Sequence, residues 1–465
     1  VYTLGILHVN RKKKVWLPPK SRPKISRNKV DHRHLTLEGC LILANAIRND
    51  IESPRGNVFV TTTVINMKRG DIMEEKCPPL IDILSEIPDF RKAKGKRHPL
   101  SAILALACVA TMCGYKGYRA FAEWGRNYDK EVTGHSLMQA LGFTHGKGPC
   151  PATFSIVFRR INVKLFEEKL SGWAESVLRA LGSEDGSSGD SVSDNSISDN
   201  SVSMDGKTAK GSKKQGSSIS HFLSVVAHGV GLTLAQCGVD DKTNEIGVVH
   251  EVLRNLVLEG RVMTMDALLT QRHIAEGILD GGGDYVMIVK ENQQKLLDDV
   301  RTVFHGPCSH LLRKSSAKTV DTGHGRIEER HLIVSDELSD YSDWPGLHQV
   351  FQLTRTATMK KTGEHRAETV YGITSLTPEK ADASRLMHLV RCHWHIENKS
   401  HWVRDVIFGE DASQVHCGDA PQVMAAIRNI VIGLAHSAGK TNIAAACREF
   451  AAKPTVAMEL IGIRI

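Results

Sequence analysis

The chain has 465 residues, 41% of them hydrophobic and 24% charged, which excludes wholesale disorder and allows a sizeable core spread over about two to four domains. Its formal net charge of +8 is unevenly placed: residues 1–70 carry 14 Lys+Arg against 4 Asp+Glu, and the rest of the chain is close to neutral. Overall basicity is therefore no argument for a nucleic-acid partner, and any such argument must rest on local clusters.

Residues 1–72, basic and with little sustained periodicity, read either as an arm that touches DNA or as upstream sequence ahead of a natural start at Met67 or Met73. No charged, apolar and cleavable segments of a secretory signal open the chain. The longest apolar run, Leu100–Met112, is too short for a membrane span of roughly 20 residues. Ten Cys without a CxxC pair point to reduced thiols and a cytoplasmic setting.

Residues 73–182 predict a small helical domain: "PPLIDILSEI", a basic loop "RKAKGKRHP", a buried helix "LSAILALACVATM", then "GYRAFAEWGRNY" and one long run beginning at a Thr153 cap. A helical module beside a basic loop suits DNA contact. Residues 183–203 repeat the pentad S-[VI]-S-D-N and predict a flexible linker that runs into the alternating Val202 and Met204. Beyond it the pattern becomes hairpin, helix, strand, helix, strand, the signature of an α/β core. The hairpin turns at Gly229 and Gly231, and the strands "RVMTMDA" and "DYVMIVK" alternate with helices. Residues 305–376 read as β-rich, with helix returning from Pro378 to about Phe408 and again in "PQVMAAIRNIVIGLAHSAG". The expected organisation is a core over 204–304 and 377–435, a β-rich insertion over 305–376, and a tail over 436–465.

Three acids stand out. Asp205 precedes "GKT", Asp266 ends a short strand, and Glu397 lies within the helix "RLMHLVRCHWHIENKSHWVRDVIF". Carboxylates at neighbouring strand ends can meet over one sheet edge, with a third supplied by a facing helix. Without cations such a group repels itself, and hard Mg²⁺ or Mn²⁺ relieves the repulsion. Two ions roughly 4 Å apart would clamp the attacking and leaving oxygens of a phosphoryl displacement. At about 100° per residue, His393, Glu397 and Arg404 fall within one narrow stripe, which would turn His393 and Arg404 toward phosphate oxygens and Glu397 toward metal. A surface charge ladder explains the same spacing. The histidines of this helix do not make a zinc site, because His393 and His395 point apart and no Cys completes a set. "DGKT" lacks the first glycine of a phosphate loop, so no nucleotide hydrolase is implied. Lys207, Lys210, Lys213 and Lys214 remain either DNA-backbone contacts or a solvated loop.

Taken together the motifs resemble DDE-type transposases of bacterial insertion sequences, specifically the H-repeat-associated group. The strings are "DGKT" with "KGS" at 205–212, "KTNEI" at 242–246, "TMDAL" at 264–268 and "GGDYVMIVKENQ" at 282–293, followed by "GHGRIEER" at 323–330, "YGITSL" at 371–376 and "RCHWHIENKSHWVRDVIFGEDAS" at 391–413. "RHPLSAILALACVATMCGYKGYRAFAEWG" is similar to the same group's N-terminal region. The resemblance implies a ribonuclease H-like core interrupted by the β-rich insertion, with the acidic triad on Asp205, Asp266 and Glu397, which would also hold two Mg²⁺ or Mn²⁺ ions. Related enzymes carry basic residues four before and seven after the Glu; here those positions are His393 and Arg404. The implied reaction is hydrolytic cleavage of double-stranded DNA at element ends, freeing a 3′-OH that attacks target DNA. A homodimer would bring the two ends together, in the cytoplasm and on the nucleoid. Lys207, Lys290, Arg326, Arg330, His393 and Arg404 are the candidate phosphate contacts. The alternatives are a DNA-binding relic without catalysis, or a metal-dependent nuclease serving another process.

Overall fold

A computed structural model describes residues 77–182, 200–212, 219–240 and 245–465, apart from the single residues 135, 145 and 324. The basic leader, most of the Ser/Asp-rich linker, Lys213 and Lys214 fall outside the described residues.

Helix α1 (Leu80–Ser85) and α2 (Leu100–Met112) each begin directly after an extended proline, Pro79 and Pro99. Every residue of α2 except Ser101 is buried. A helix that is apolar all round must sit inside a bundle. Its neighbours are α1, α3 (Gly117–Asn127) and helices from the far end of the chain. Two single turns, α4 (Lys130–Thr133) and α5 (Leu137–Ala140), lead to α6 (Pro151–Arg160) and α7 (Val163–Gly182). The long run expected from Thr153 is thus two helices. It starts at Pro151, because a proline at the first helical position loses no needed N–H. It breaks at Ile161–Asn162, where Asn162 Oδ1 accepts from the Leu165 N–H at 3.2 Å and opens the next helix.

The sheet has nine strands: β1 (Ser201–Thr208), β2 (Ile219–Ala227), β3 (Thr233–Asp240), β4 (Val262–Met265), β5 (Asp284–Val289), β6 (Ser315–Gly323), β7 (Arg326–Ser335), β8 (Gln349–Met359) and β9 (His365–Thr374). Their spatial order is β3-β2-β1-β4-β5-β9-β8-β7-β6. β1, β4 and β5 run parallel, and all other neighbours are antiparallel. The α/β reading of the sequence holds. Parallel pairs need crossovers, and α8 (Glu245–Arg254), α9 (Arg272–Asp280) and α10 (Gln294–His305) supply apolar faces over Met263, Met265, Tyr285, Met287 and Val289.

The opposite face takes α11 (Ala383–His393). Its Leu386, Met387, Leu389 and Val390 pack on Val262, Val286, Phe351, Leu332 and Leu353. Side chains alternate along a strand, so the face that carries Val262 and Val286 also carries Ser203, Thr264 and, one step on, Asp205 and Asp266. Beyond β5 the register aligns Val289 with Tyr371, Gln352 and Ile333. From that level β9 continues six residues to His365, so β6–β9 form a wing reaching roughly 20 Å past the end of β5.

After α11 come α12 (Ala420–Ser437), α13 (Ile443–Ala452) and α14 (Pro454–Leu460). The stretch expected only as a tail thus folds back on the helical region. Cys113 Sγ donates to the Phe450 carbonyl at 3.3 Å, and the Ile81 N–H donates to the Ile461 carbonyl at 3.0 Å. Among the described residues no single helix is long and apolar enough to cross a membrane.

Candidate active site

Met204 and Met265 are the last register partners of the parallel pair β1–β4, and the next residue on each strand is an acid, Asp205 and Asp266. Parallel neighbours lie about 4.8 Å apart, so the chain itself brings these two carboxylates together. Asp266 Oδ1 also accepts from the Leu268 N–H at 3.1 Å, which fixes the turn after β4. Burial pushes the Asp205 carboxyl up to about 7, and the negative charges of Asp266, Glu245 and Glu397 add to that rise. Asp266 is raised for the same first reason, desolvation, with Glu245 contributing and Lys290 opposing.

Beneath the acids lies an uncharged polar layer. The buried His228 ring meets Ser201 Oγ at 2.7 Å through Nδ1, and Ser203 Oγ at 2.6 Å and Thr264 Oγ1 at 3.1 Å through Nε2. Burial holds this imidazole well below its usual pKa, so it is neutral. The layer anchors the Glu397 segment: Ser203 Oγ donates to the His393 carbonyl at 3.2 Å, and Thr264 Oγ1 lies 3.0 Å from His393 Nδ1. One turn onward, Glu397 lies on the exposed side of this segment, within electrostatic reach of Asp205. His401 brings Nδ1 to 3.5 Å from Asp205 Oδ2.

From Ile396 the segment winds as π-helix, over Ile396–His401 and Val403–Ile407. Its i→i+5 turns are wider than the 3.6-residue winding assumed from the sequence, and this separates the expected stripe. His393 is directed into the sheet, and burial lowers its pKa to about 4, so it is a neutral strut and not a phosphate contact. Arg404 is fully buried, with Nε 2.8 Å and Nη2 2.6 Å from the Glu410 carboxylate, whose Oε2 also meets Arg428 at 3.1 Å. Lys207 is likewise buried, its Nζ 2.6 Å from Asp405 Oδ2. Arg404, enclosed with its counter-ion, has no face left for a phosphate, whereas Lys207 is paired with an Asp405 that is itself 31% exposed.

Arg326 and Arg330 lie on the wing. Arg326 reaches Glu328 at 3.5 Å, and Arg330 reaches Asp321 at 2.5 Å and Glu328 at 3.0 Å. Lys290 is exposed at the end of β5 and within electrostatic reach of Asp266. The sequence reading missed Glu245, His228 and His401. Glu245 sat within a noted motif, but nothing in the spacing placed it beside two acids from other elements.

Carboxylate oxygens are the donors that hard Mg²⁺ and Mn²⁺ prefer. Two half-buried carboxylates, both with raised proton affinity, fit a divalent cation. Among the described residues, no three His, Cys, Asp or Glu side chains stand within joint coordinating distance. The pair Asp205–Asp266 is therefore the fitted element, and Glu397 does not join it within coordinating distance.

Residues 196–434 match the family described as transposase DDE domain, and residues 81–174 match the associated N-terminal family, DDE_Tnp_1-associated. The protein named "Putative transposase YncI" from Escherichia coli O157:H7 is 30% identical over 367 residues, which cover 76% of this chain and 86% of that protein. "H repeat-associated putative transposase YhhI" from Escherichia coli K12 is 29% identical over 363 residues, covering 76% and 89%. A protein described only by its place in the dhlA 3′ region of Xanthobacter autotrophicus is 34% identical over 265 residues, covering 56% and 83%. The chain belongs to the DDE transposase family, in the H-repeat-associated group.

Proposed function

We propose that this protein is a metal-dependent DNA transposase that cleaves at the ends of an insertion sequence and joins them to target DNA. Asp205, Asp266 and Glu397 are its catalytic acids. The observation that carries the reading is the meeting of Asp205 and Asp266 just past the last register pair of the parallel strands β1 and β4, beside the segment that bears Glu397. The strand order β3-β2-β1-β4-β5, with three antiparallel and then parallel neighbours, supports a ribonuclease H-like core over 204–304 and 377–435, with 305–376 as its insertion. The helices within 73–182 would form a DNA-contacting module ahead of the linker at 183–203.

Bound at Asp205 and Asp266, Mg²⁺ or Mn²⁺ would supply positive charge for the phosphoryl oxygens and activate the attacking oxygen. The protein's own residues do the rest. The Ser203–His228–Thr264 layer keeps both strands and the Glu397 segment in one geometry. Lys290 meets the phosphate next to Asp266. Since two ends must be joined, a dimer on DNA is the expected working form.

The test uses DNA carrying the termini of the encoding element, with Mg²⁺. The unaltered chain is expected to cut and to join, and Asp266→Ala to bind that DNA with similar affinity but cut at least a thousandfold more slowly, about the scale at which electrostatic stabilisation of the transition state is lost. Cutting by Asp266→Ala at the original rate would overturn the site. Binding without cutting by the unaltered chain would mark a DNA-binding relic, and cutting without joining or end preference a nuclease.

A further inference from the structure

The motif that supplies the first residues of α8 has no part in the reaction described above, yet its Glu245 is held beside the acid pair. Thr208 Oγ1 on β1 lies 2.7 Å from His221 Nδ1 on β2, and His221 Nε2 lies 2.6 Å from Glu245 Oε1 on α8. Both ring nitrogens are engaged, so the imidazole cannot turn and the carboxylate is fixed in place. The Glu245 side chain is 16% exposed, and its approach depends on the glycine after Asp205: a Cβ on Gly206 would overlap the Glu245 carboxyl group. The glycine of "DGKT" and the glutamate of "NEI", far apart in sequence, are thus two halves of one contact.

We propose that Glu245 is a positioning residue of the acid site: a carboxylate held by His221 just behind Asp205 and Asp266, whose charge strengthens their grip on a divalent cation without ligating it. Its carboxyl group lies against Gly206, the residue that follows Asp205, so its charge sits within the acid site. The same charge, poorly screened in a half-buried cleft, attracts a cation placed between Asp205 and Asp266. A purely structural tie between β2 and α8 would need the hydrogen bond to His221 but not the charge. Glu245→Gln separates the two, because the amide keeps the shape and a hydrogen bond to the imidazole and loses only the charge.

This inference rests on the proposed reading of Asp205 and Asp266, and its test distinguishes the two. Mn²⁺ is titrated into the full-length chain, and free Mn²⁺ is followed by electron paramagnetic resonance. Glu245→Gln is expected to bind Mn²⁺ about tenfold more weakly, the scale of one like charge at this range, with an unchanged melting temperature. Glu245→Asp should recover part of the loss. Equal affinity in Glu245→Gln and the unaltered chain, with binding lost in Asp266→Ala, overturns the role of Glu245 and leaves the acid pair standing. No Mn²⁺ binding by the unaltered chain, or binding indifferent to Asp266→Ala, overturns both. If Glu245→Gln melts early, His221→Gln carries the test: it releases the carboxylate without removing its charge and should weaken Mn²⁺ binding about threefold, whereas native affinity there overturns the inference.

Discussion

Glu410 shows how a single residue redirects a functional expectation. Its carboxylate lies between Arg404 and Arg428, and all three side chains are almost wholly buried. Burial alone would raise its pKa, but the two guanidinium groups outweigh it and hold the carboxyl at about 2. Replacing Glu410 by Gln leaves two cations enclosed without a counter-ion, and should cost about 3–5 kcal/mol in urea unfolding. The pH sign follows from the depressed value. The contribution is fully present above the ordinary carboxylate range near 4.5 and is lost as pH falls through about 2, so the Glu410→Gln penalty should shrink in acid. Nothing in the sequence distinguishes Arg404 from a surface arginine, because its partners lie 6 and 24 residues further along the chain and only the fold brings them to it. Lys207 was similarly opaque. By contrast, Asp205 and Asp266 were legible, since each follows an apolar alternation, although β1 runs on through Asp205 to Thr208 and only Asp266 stands at its strand's end. Gly372 is a second residue-scale case. A Cβ there would overlap the Phe351 ring, so Gly372→Ala should lower stability by about 1–3 kcal/mol in the same assay, the usual cost of overpacking.

At the scale of elements, periodicity succeeded where winding was ordinary. The continuous apolar run of α2 predicted a buried helix, and the hairpin β2–β3 turned at its glycines, with Gly231 at φ +68°. It failed for the Glu397 segment, because the change to π winding leaves no mark in residue spacing. Junctions between elements were also hidden. Helix α7 meets β3 and α12 through Glu167, which takes hydrogen bonds from Gln236 Nε2 at 2.8 Å and Gln422 Nε2 at 2.7 Å. Desolvation raises this carboxyl to about 8, so at neutral pH the folded state holds its proton. Folding then binds a proton that the unfolded chain gives up above about 4.5, and the stability from this junction falls as pH rises from there to about 8. Glu167→Gln should flatten that decline. The check is a series of urea midpoints between pH 5 and 8: a downward slope in the unaltered chain and a shallower one in the variant. Equal slopes would mean that Glu167 is ionised in the folded state.

Over the whole molecule, the uneven charge read from the sequence directs attention to where local cations stand relative to the acids. The wing of β6–β9 extends past the strand ends that carry Asp205 and Asp266, and its side chains on the acid-bearing face include Arg326, Arg330 and Arg355. All three turn to one buried carboxylate, Glu328. Desolvation works to raise its pKa, but the arginines prevail and hold it below the usual range. DNA seated on the acid pair would run along this face, and three arginines drawn to one glutamate offer less of their charge to its phosphates. Glu328→Gln removes that competition. Its expected effect is tighter DNA binding with no sequence preference, and a salt dependence steeper by about one to two released counterions. Fluorescence anisotropy of a labelled duplex, across a series of NaCl concentrations, reads both. The melting temperature must be followed alongside, since three neighbouring cations without Glu328 repel one another. Unchanged affinity and slope in a folded variant would place the path of the DNA away from the wing, and would leave the Asp321–Arg330–Glu328–Arg355 cluster as the tie that holds β6, β7 and β8 in register.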